Sequence, residues 1–231
     1  MIRLDKCLCH LGYGTRKDVK KIIRAKEVTI NGVICNKEDM KFDEINDVLV
    51  VQGIEVHYQE FVYIMLNKPK DVISATEDQM HTTVLDCIGD VTKGLFPVGR
   101  LDIDTVGLCL ITNDGKLSHS LLSPKKHVDK KYYVEISTPL TIEHIRLLED
   151  GITIDGDELC KPAKVNIIDD YRLELTISEG KYHQIKRMMI ACDSEVTYLK
   201  RLTIGPLTLD DRLEEGDWRY CTDEEVELLR Q

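Results

Sequence analysis

The stretch VGRLDIDTVGLCLITNDG, residues 98–115, decides how the chain is read. Leu108–Ile111 is a short apolar run bounded by Gly107 and Gly115, which predicts a buried strand rather than a helix. Asp102, Asp104 and Asp114 then sit at or near the strand's two ends, where a side chain can face a cleft while the sheet holds its backbone. Asn113-Asp114-Gly115 is ordinary turn chemistry, so Asp114 reads as structural. Asp102 precedes the run, close to Arg100, and the turn signal there is weak. From the residues alone it is open between a surface ion pair, a helix cap and a functional carboxylate.

The 231 residues allow two modest domains, each with a core of its own. An apolar content of 42% and a charged content of 31% are those of a soluble globular protein. No apolar run approaches the roughly 18–20 residues that span a bilayer. The opening MIRLDKCLCHLGYG is too polar for a secretory signal. The eight cysteines form no CxxC pair, and Cys7-x-Cys9 with His10 is followed by no second ligand pair at finger spacing. Reduced thiols packed as small hydrophobes fit better and point to the cytoplasm.

A net charge of −10 argues against a nucleic-acid partner until its distribution is considered. Arg3 to Lys26 carries eight basic residues against two acidic ones, whereas Leu207 to Gln231 carries nine acidic against three basic. Binding follows the local field, not the total.

Residues 1–58 read as two helices and a hairpin. Leu4, Leu8 and Leu11 recur at helical spacing, closed by Gly12 and Gly14. Thr15-Arg-Lys-Asp18 has the form of a capping box and opens a helix over about 16–25. At roughly 100° per residue, Val19, Ile22 and Ile23 fall on one arc, and Arg16, Lys17, Lys20, Lys21 and Arg24 on the other. A solvated face is the usual fate of such charges, but solubility alone favours mixed signs. Asn31-Gly32 between Val28–Ile30 and Val33-Ile34 is a strong hairpin signal. The order of helices, basic arc and hairpin resembles an S4 RNA-binding domain. The join falls within HYQEFV, residues 57–62, which sets a second domain at 59–231. There, Val62–Leu66 and Tyr132–Ser137 read as strands and Ile142–Asp150 as an amphipathic helix. A helix and an exposed basic loop, including Pro124, cover 116–129, and 153–163 is loop-rich. Leu173, Leu175 and Ile177 alternate as a half-buried strand. A helix follows, with Ile185, Met188, Met189 and Cys192 as its core positions. The acidic tail reads as a closing strand and a capping helix.

GRLDIDTVGL, residues 99–108, resembles the signature of the RsuA branch of RNA pseudouridine synthases. The likeness continues in MLNKP (65–69), KKYYVEI (130–136), KPA (161–163) and LTISEGKYHQIKRM (175–188), in the expected order over nearly the whole chain. It implies an α+β protein, with a small S4-like domain followed by a mixed, mainly antiparallel sheet catalytic domain of the pseudouridine synthase type. Asp102 falls on the family's catalytic aspartate. Lys186 falls on the basic partner that keeps that aspartate charged, a position held by arginine in other branches. Tyr132 matches the tyrosine that stacks on the uracil, with Tyr133 facing the other side of its strand, and Ile185 resembles the apolar floor. Arg100 is expected to fill the space the base leaves or to hold its phosphate. Arg3, Lys68 and the basic arc are expected RNA contacts. Family members commonly have glycine where this chain has Asp71, a residue that tolerates left-handed dihedrals better than most.

The implied reaction breaks the N1–C1′ bond, turns the trapped uracil and joins C5 to C1′. It involves no redox change or phosphoryl transfer, so no cofactor or metal is expected, and no Gly-rich phosphate loop occurs. One ionised carboxylate suffices, either attacking C1′ or removing the 2′ proton to give a glycal. A base inside a duplex must first be extruded onto an aromatic face. LDIDTVG and LTISEGKYHQIKRM look more like the small-subunit branch than its large-subunit relatives. The expected substrate is therefore 16S rRNA, met as an assembly intermediate with ribosomal proteins by a monomeric enzyme. A large-subunit synthase and a non-catalytic S4-type ribosome-assembly protein are the alternatives.

Overall fold

A computed structural model describes residues 1–44, 46–89, 92–123 and 125–231, so Pro124 of the expected basic loop lies outside the described residues. These form two compact units, Met1–Val62 with Gly89–Leu95, and Tyr63–Ile88 with Phe96–Gln231. The first unit thus runs past a cut after residue 58 and takes in a later segment. Lys93 N–H donates to His10 O at 3.1 Å, and its Nζ donates to Gly14 O at 3.1 Å.

In the first unit β1 (Ile2–Arg3) leads into α1 (Leu4–His10), followed by α2 (Arg16–Arg24), β2 (Val28–Ile30), β3 (Val33–Ile34), β4 (Lys41–Phe42), β5 (Leu49–Val51) and β6 (Ile54–Val56). Thr15 and Asp18 close a reciprocal capping box on α2, satisfying two N–H groups that a helix start otherwise leaves unpaired. Asn31 and Gly32 both adopt positive φ, which the two-residue turn between β2 and β3 requires. Strands β3-β2-β5-β6 form an antiparallel sheet, and Leu4, Leu8, Val19, Ile23, Leu49 and Val51 meet in one core.

The second unit runs β7 (Tyr63–Lys68), β8 (Phe96–Pro97), β9 (Val106–Thr112), α3 (Gly115–Leu122), β10 (Lys130–Ile136), α4 (Ile142–Asp150), β11 (Thr153–Ile154), β12 (Glu158–Leu159), β13 (Lys164–Asp169), β14 (Arg172–Ile177), α5 (Gln184–Ile190), β15 (Val196–Ile204), β16 (Leu207–Thr208), β17 (Trp218–Tyr220) and α6 (Asp223–Arg230). Its main sheet has the order β13-β14-β10-β15-β9-β7-β17, with β16 on β15 and β8 on β9. Among the pairings of this sheet β9–β15 is parallel and the rest are antiparallel. All seven residues of β9 are buried, which explains why its sequence is a continuous apolar run without alternation. Asp114 caps α3, accepting from Lys116 and Leu117 N–H, and also accepts from Tyr63 Oη at 2.8 Å. Among the described residues, no helix is long and apolar enough to cross a membrane.

Gly107 fixes the β9–β15 contact. Its φ is +98°, and a Cβ there would lie 2.4 Å from Arg201 O and 2.8 Å from Arg201 N. Backbone atoms in a central strand cannot swing aside. Gly107→Ala should therefore destabilise the protein by about 3 kcal/mol or more, combining strained dihedrals with the clash. A thermal melt indistinguishable from wild type would contradict this packing.

Candidate active site

Asp102 begins the turn that leads into β9. Thr105 N–H donates to Asp102 O at 3.1 Å, and Ser74 Oγ bonds both Leu101 O and Leu101 N–H. Lys68 reaches under the turn from β7, and its Nζ donates to Thr105 O at 2.8 Å, Ile103 O at 3.3 Å and Pro69 O at 3.0 Å. Asp71, in the left-handed region at φ +63°, donates its N–H to Ile103 O at 2.9 Å. The turn's carbonyls are held from two sides, so the Asp102 side chain projects from a fixed backbone.

The opposite wall is the β14–α5 turn. Gln184, nearly fully buried, ties it together by accepting from Lys181 N–H at 3.0 Å and donating to Glu179 Oε1 at 2.8 Å. Arg187 pins the turn from outside. It bonds Tyr182 O, Asp155 and Glu158, and the two carboxylates raise its pKa further. Lys186 extends from α5 with its Nζ 3.1 Å from Asp102 Oδ2 and 2.5 Å from Asp104 Oδ1. Burial pulls the Lys186 pKa down, but the bonds to Asp104 and Asp102 outweigh it and the net shift is upward. For Asp104 burial acts upward, and the Lys186 ammonium more than reverses it, leaving the carboxyl below its ordinary value. His183 precedes α5 at φ +47° and does not cap the helix with its side chain. Its Nε2 lies 3.6 Å from Asp102 Oδ1. One carboxylate thus faces an ammonium and an imidazole.

The cleft between these walls is lined by Arg100, Asp102, Tyr132, Ile185 and Lys186, which were singled out in the sequence, and by His183, Gln184 and Leu199 among others. Tyr132 is buried on the cleft side of β10. Tyr133 points the other way, with its Oη donating to Glu135 and its ring edge-on to Tyr198. Arg100 is exposed and makes no ion pair among the described residues. His183 was missed because a lone histidine between tyrosine and glutamine carries no periodic signal. Its left-handed backbone is invisible in a sequence without glycine there.

Lys68, which the resemblance leads one to expect against RNA, is instead fully buried, and its ammonium serves two carbonyls of the Asp102 turn and that of Pro69. Burial lowers its pKa, and no phosphate can reach it without breaking that turn. Of the other expected RNA contacts, Arg3 lies on β1 and holds Asp5 through two bonds of 3.0 and 2.9 Å. Lys20 is ion-paired with Glu38, and Lys21 with Asp18 at 3.1 Å. The arc is therefore less purely basic than the sequence implied. Arg16, Lys17 and Arg24 are exposed without an ion pair among the described residues.

Residues 2–49 match the family model described as S4 domain. An S4 domain in a chain whose other unit holds a carboxylate and an ammonium across an aromatic-walled cleft defines an RNA-modifying enzyme. Residues 62–191, more than half of the chain, match the model described as RNA pseudouridylate synthase. The chain belongs to that family and is a pseudouridine synthase. It is 45% identical to a Bacillus subtilis protein named Uncharacterized RNA pseudouridine synthase YtzG, over all of this chain and 99% of that one. It is 38% identical to Ribosomal small subunit pseudouridine synthase A of Haemophilus influenzae, over 99% of both chains. The protein of the same name from Vibrio cholerae is 40% identical, over 97% of this chain and 98% of its own. A solved structure described as pseudouridylate synthase superposes with a TM-score of 0.70 at 38% identity, covering 99% of this chain and all of that one.

Proposed function

We propose that the chain converts a uridine of 16S rRNA to pseudouridine, acting as a monomer on an assembly intermediate, with Asp102 as the reacting carboxylate. The observation that carries this reading is Asp102 facing the Lys186 ammonium at 3.1 Å in a cleft walled by Tyr132. The relatives named for the small subunit support the choice of RNA. The extruded uracil stacks on Tyr132 above Ile185, and Arg100 enters the gap it leaves or holds its phosphate. Asp102 then attacks C1′ or takes the 2′ proton, and the N1–C1′ bond breaks. The uracil turns within the cleft and C5 bonds C1′, either as the Asp102–C1′ ester bond breaks or as Asp102 returns its proton to C2′ of the glycal, and the C5 proton leaves to water. Lys186 offsets the carboxylate's charge throughout. The test is carbodiimide mapping of rRNA from a deletion strain. Loss of one stop in 16S rRNA, restored by the wild-type gene, is expected. Loss confined to 23S rRNA would assign the large subunit instead.

Tyr132→Phe should retain stacking and most activity, whereas Tyr132→Ala should weaken RNA binding by about 1–3 kcal/mol. Equal losses in Phe and Ala, measured as Kd and tritium release, would remove the stacking role. On α2 the proposed phosphate-gripping residues are Arg16, Lys17, Lys20, Lys21 and Arg24, with Arg3 of β1 as a further contact. Lys17→Glu with Arg24→Glu should raise KM with little change in kcat. Each lost contact should flatten the slope of log K against log salt by about 0.7–0.9. The apolar positions Val19 and Ile23 are untouched, so folding survives. Unchanged slopes in a salt titration would make the arc a solvated face only.

A further inference from the structure

The mechanism above leaves Tyr182 without a task. This tyrosine is 77% exposed, yet it is held in place. Its ring lies parallel to that of His183, with centroids 3.9 Å apart and planes 18° from coincidence. It is the one face-to-face ring pair among the described residues. The exposed Tyr220 meets Trp218 edge-on. Beneath the pair, His183 Nε2 lies 3.6 Å from Asp102 Oδ1. The order Tyr182, His183, Asp102 therefore leads from solvent to the reacting carboxylate. The backbone under the rings is fixed by Arg187 Nη1 donating to Tyr182 O at 2.8 Å and by Lys181 N–H donating to Gln184. His183 holds a positive φ that a non-glycine residue seldom adopts.

We propose that Tyr182 and His183 form a stacking platform for the RNA base that flanks the modified uridine, an assignment that rests on the function proposed above. Extruding a nucleotide strips its neighbours of a stacking partner, and a rigid aromatic face at the mouth of the cleft replaces it. The outer face of Tyr182 meets no ring among the described residues. The platform works by stacking rather than by charge. Lys181, the adjacent cation, is engaged with Leu159 O and Glu158, and Arg187 with Asp155 and Glu158. Every base has a π face, so the platform tolerates any flanking base.

Two measurements test this. In the first, an oligouridylate carrying one 2-aminopurine is titrated with wild type, Tyr182→Phe and Tyr182→Ala. Stacking should quench the fluorophore in wild type and Phe, and the quench should disappear in Ala. Kd should rise by about 5- to 150-fold in Ala, with the salt slope unchanged because no phosphate contact is lost. In the second, tritium release from [5-³H]uridine-labelled 16S rRNA assembled with small-subunit proteins should show the Ala defect in KM more than in kcat, with rescue by Phe. The exposed side chain adds little to the core, so all three proteins should melt together. Equal quench and equal Kd in wild type and Ala would overturn the platform. Quenching that disappears in Ala, by a wild-type protein that releases no tritium from any rRNA, would instead leave an RNA-stacking face but overturn the proposed function and, with it, the flanking-base assignment.

Discussion

Asp102→Asn should abolish isomerisation while leaving RNA affinity within a few-fold of wild type. The amide keeps the shape of the carboxylate but can neither attack C1′ nor take the 2′ proton. Its removal should lower kcat on the order of 10³-fold or more, as expected when the reacting group itself is lost. The turn survives, because Lys68, Ser74 and Asp71 bind its backbone rather than the Asp102 side chain. Lys186 still has Asp104 as a partner, so the opposite wall is not left with an unpaired cation. Asp104→Asn is the matched control. Asp104 sits outside the reacting position, and its loss should cost far less. If the two asparagine variants are equally impaired in single-turnover tritium release, the role assigned to Asp102 belongs to the pair.

Lys186→Met should produce the second largest loss. The ammonium lies between two carboxylates, and without it Asp102 and Asp104 face each other with no shared counter-ion. The reacting carboxylate loses the charge that offsets it, so kcat should fall on the order of 10²-fold. Lys186→Arg keeps the charge but replaces a point donor with a planar fork, so it should fall between wild type and Met. A Met variant with a raised KM and a kcat near wild type would mean that Lys186 positions RNA instead of balancing charge.

Much of this arrangement could be read from the sequence because the physics there is local. The β9 run, the Asn31-Gly32 turn, the Thr15 capping box and the buried positions of α5 depend on residues a few places apart. Asp71 takes the left-handed turn that aspartate tolerates. What escaped depends on distant partners. β15, the strand joining β9 and β10, was not anticipated, because Lys200 and Arg201 interrupt its apolar alternation. Arg201 is nevertheless buried, and its Nε donates to Leu108 O at 2.8 Å. The burial of Lys68 has the same cause. A lysine in an apolar strand looks like a surface contact until the carbonyls of residues 103 and 105 are brought over it. Glu38 lies 18 positions from Lys20 in the chain, so its neutralisation of the basic arc has no local signature.

The most direct measurement is tritium release by wild-type protein and Asp102→Asn on [5-³H]uridine-labelled 16S rRNA assembled with small-subunit proteins, with labelled 23S rRNA as the comparison. Joining C5 to C1′ expels the C5 hydrogen, so each turnover liberates one label, and neither binding nor hydrolysis does so. Release from 16S rRNA by wild type, rising to a plateau set by one uridine per transcript and absent in the Asn variant, is the predicted result. An Asn variant as active as wild type would contradict the assignment of Asp102 as the reacting carboxylate, and a wild-type protein that binds 16S rRNA but releases no tritium from it would contradict the proposed substrate.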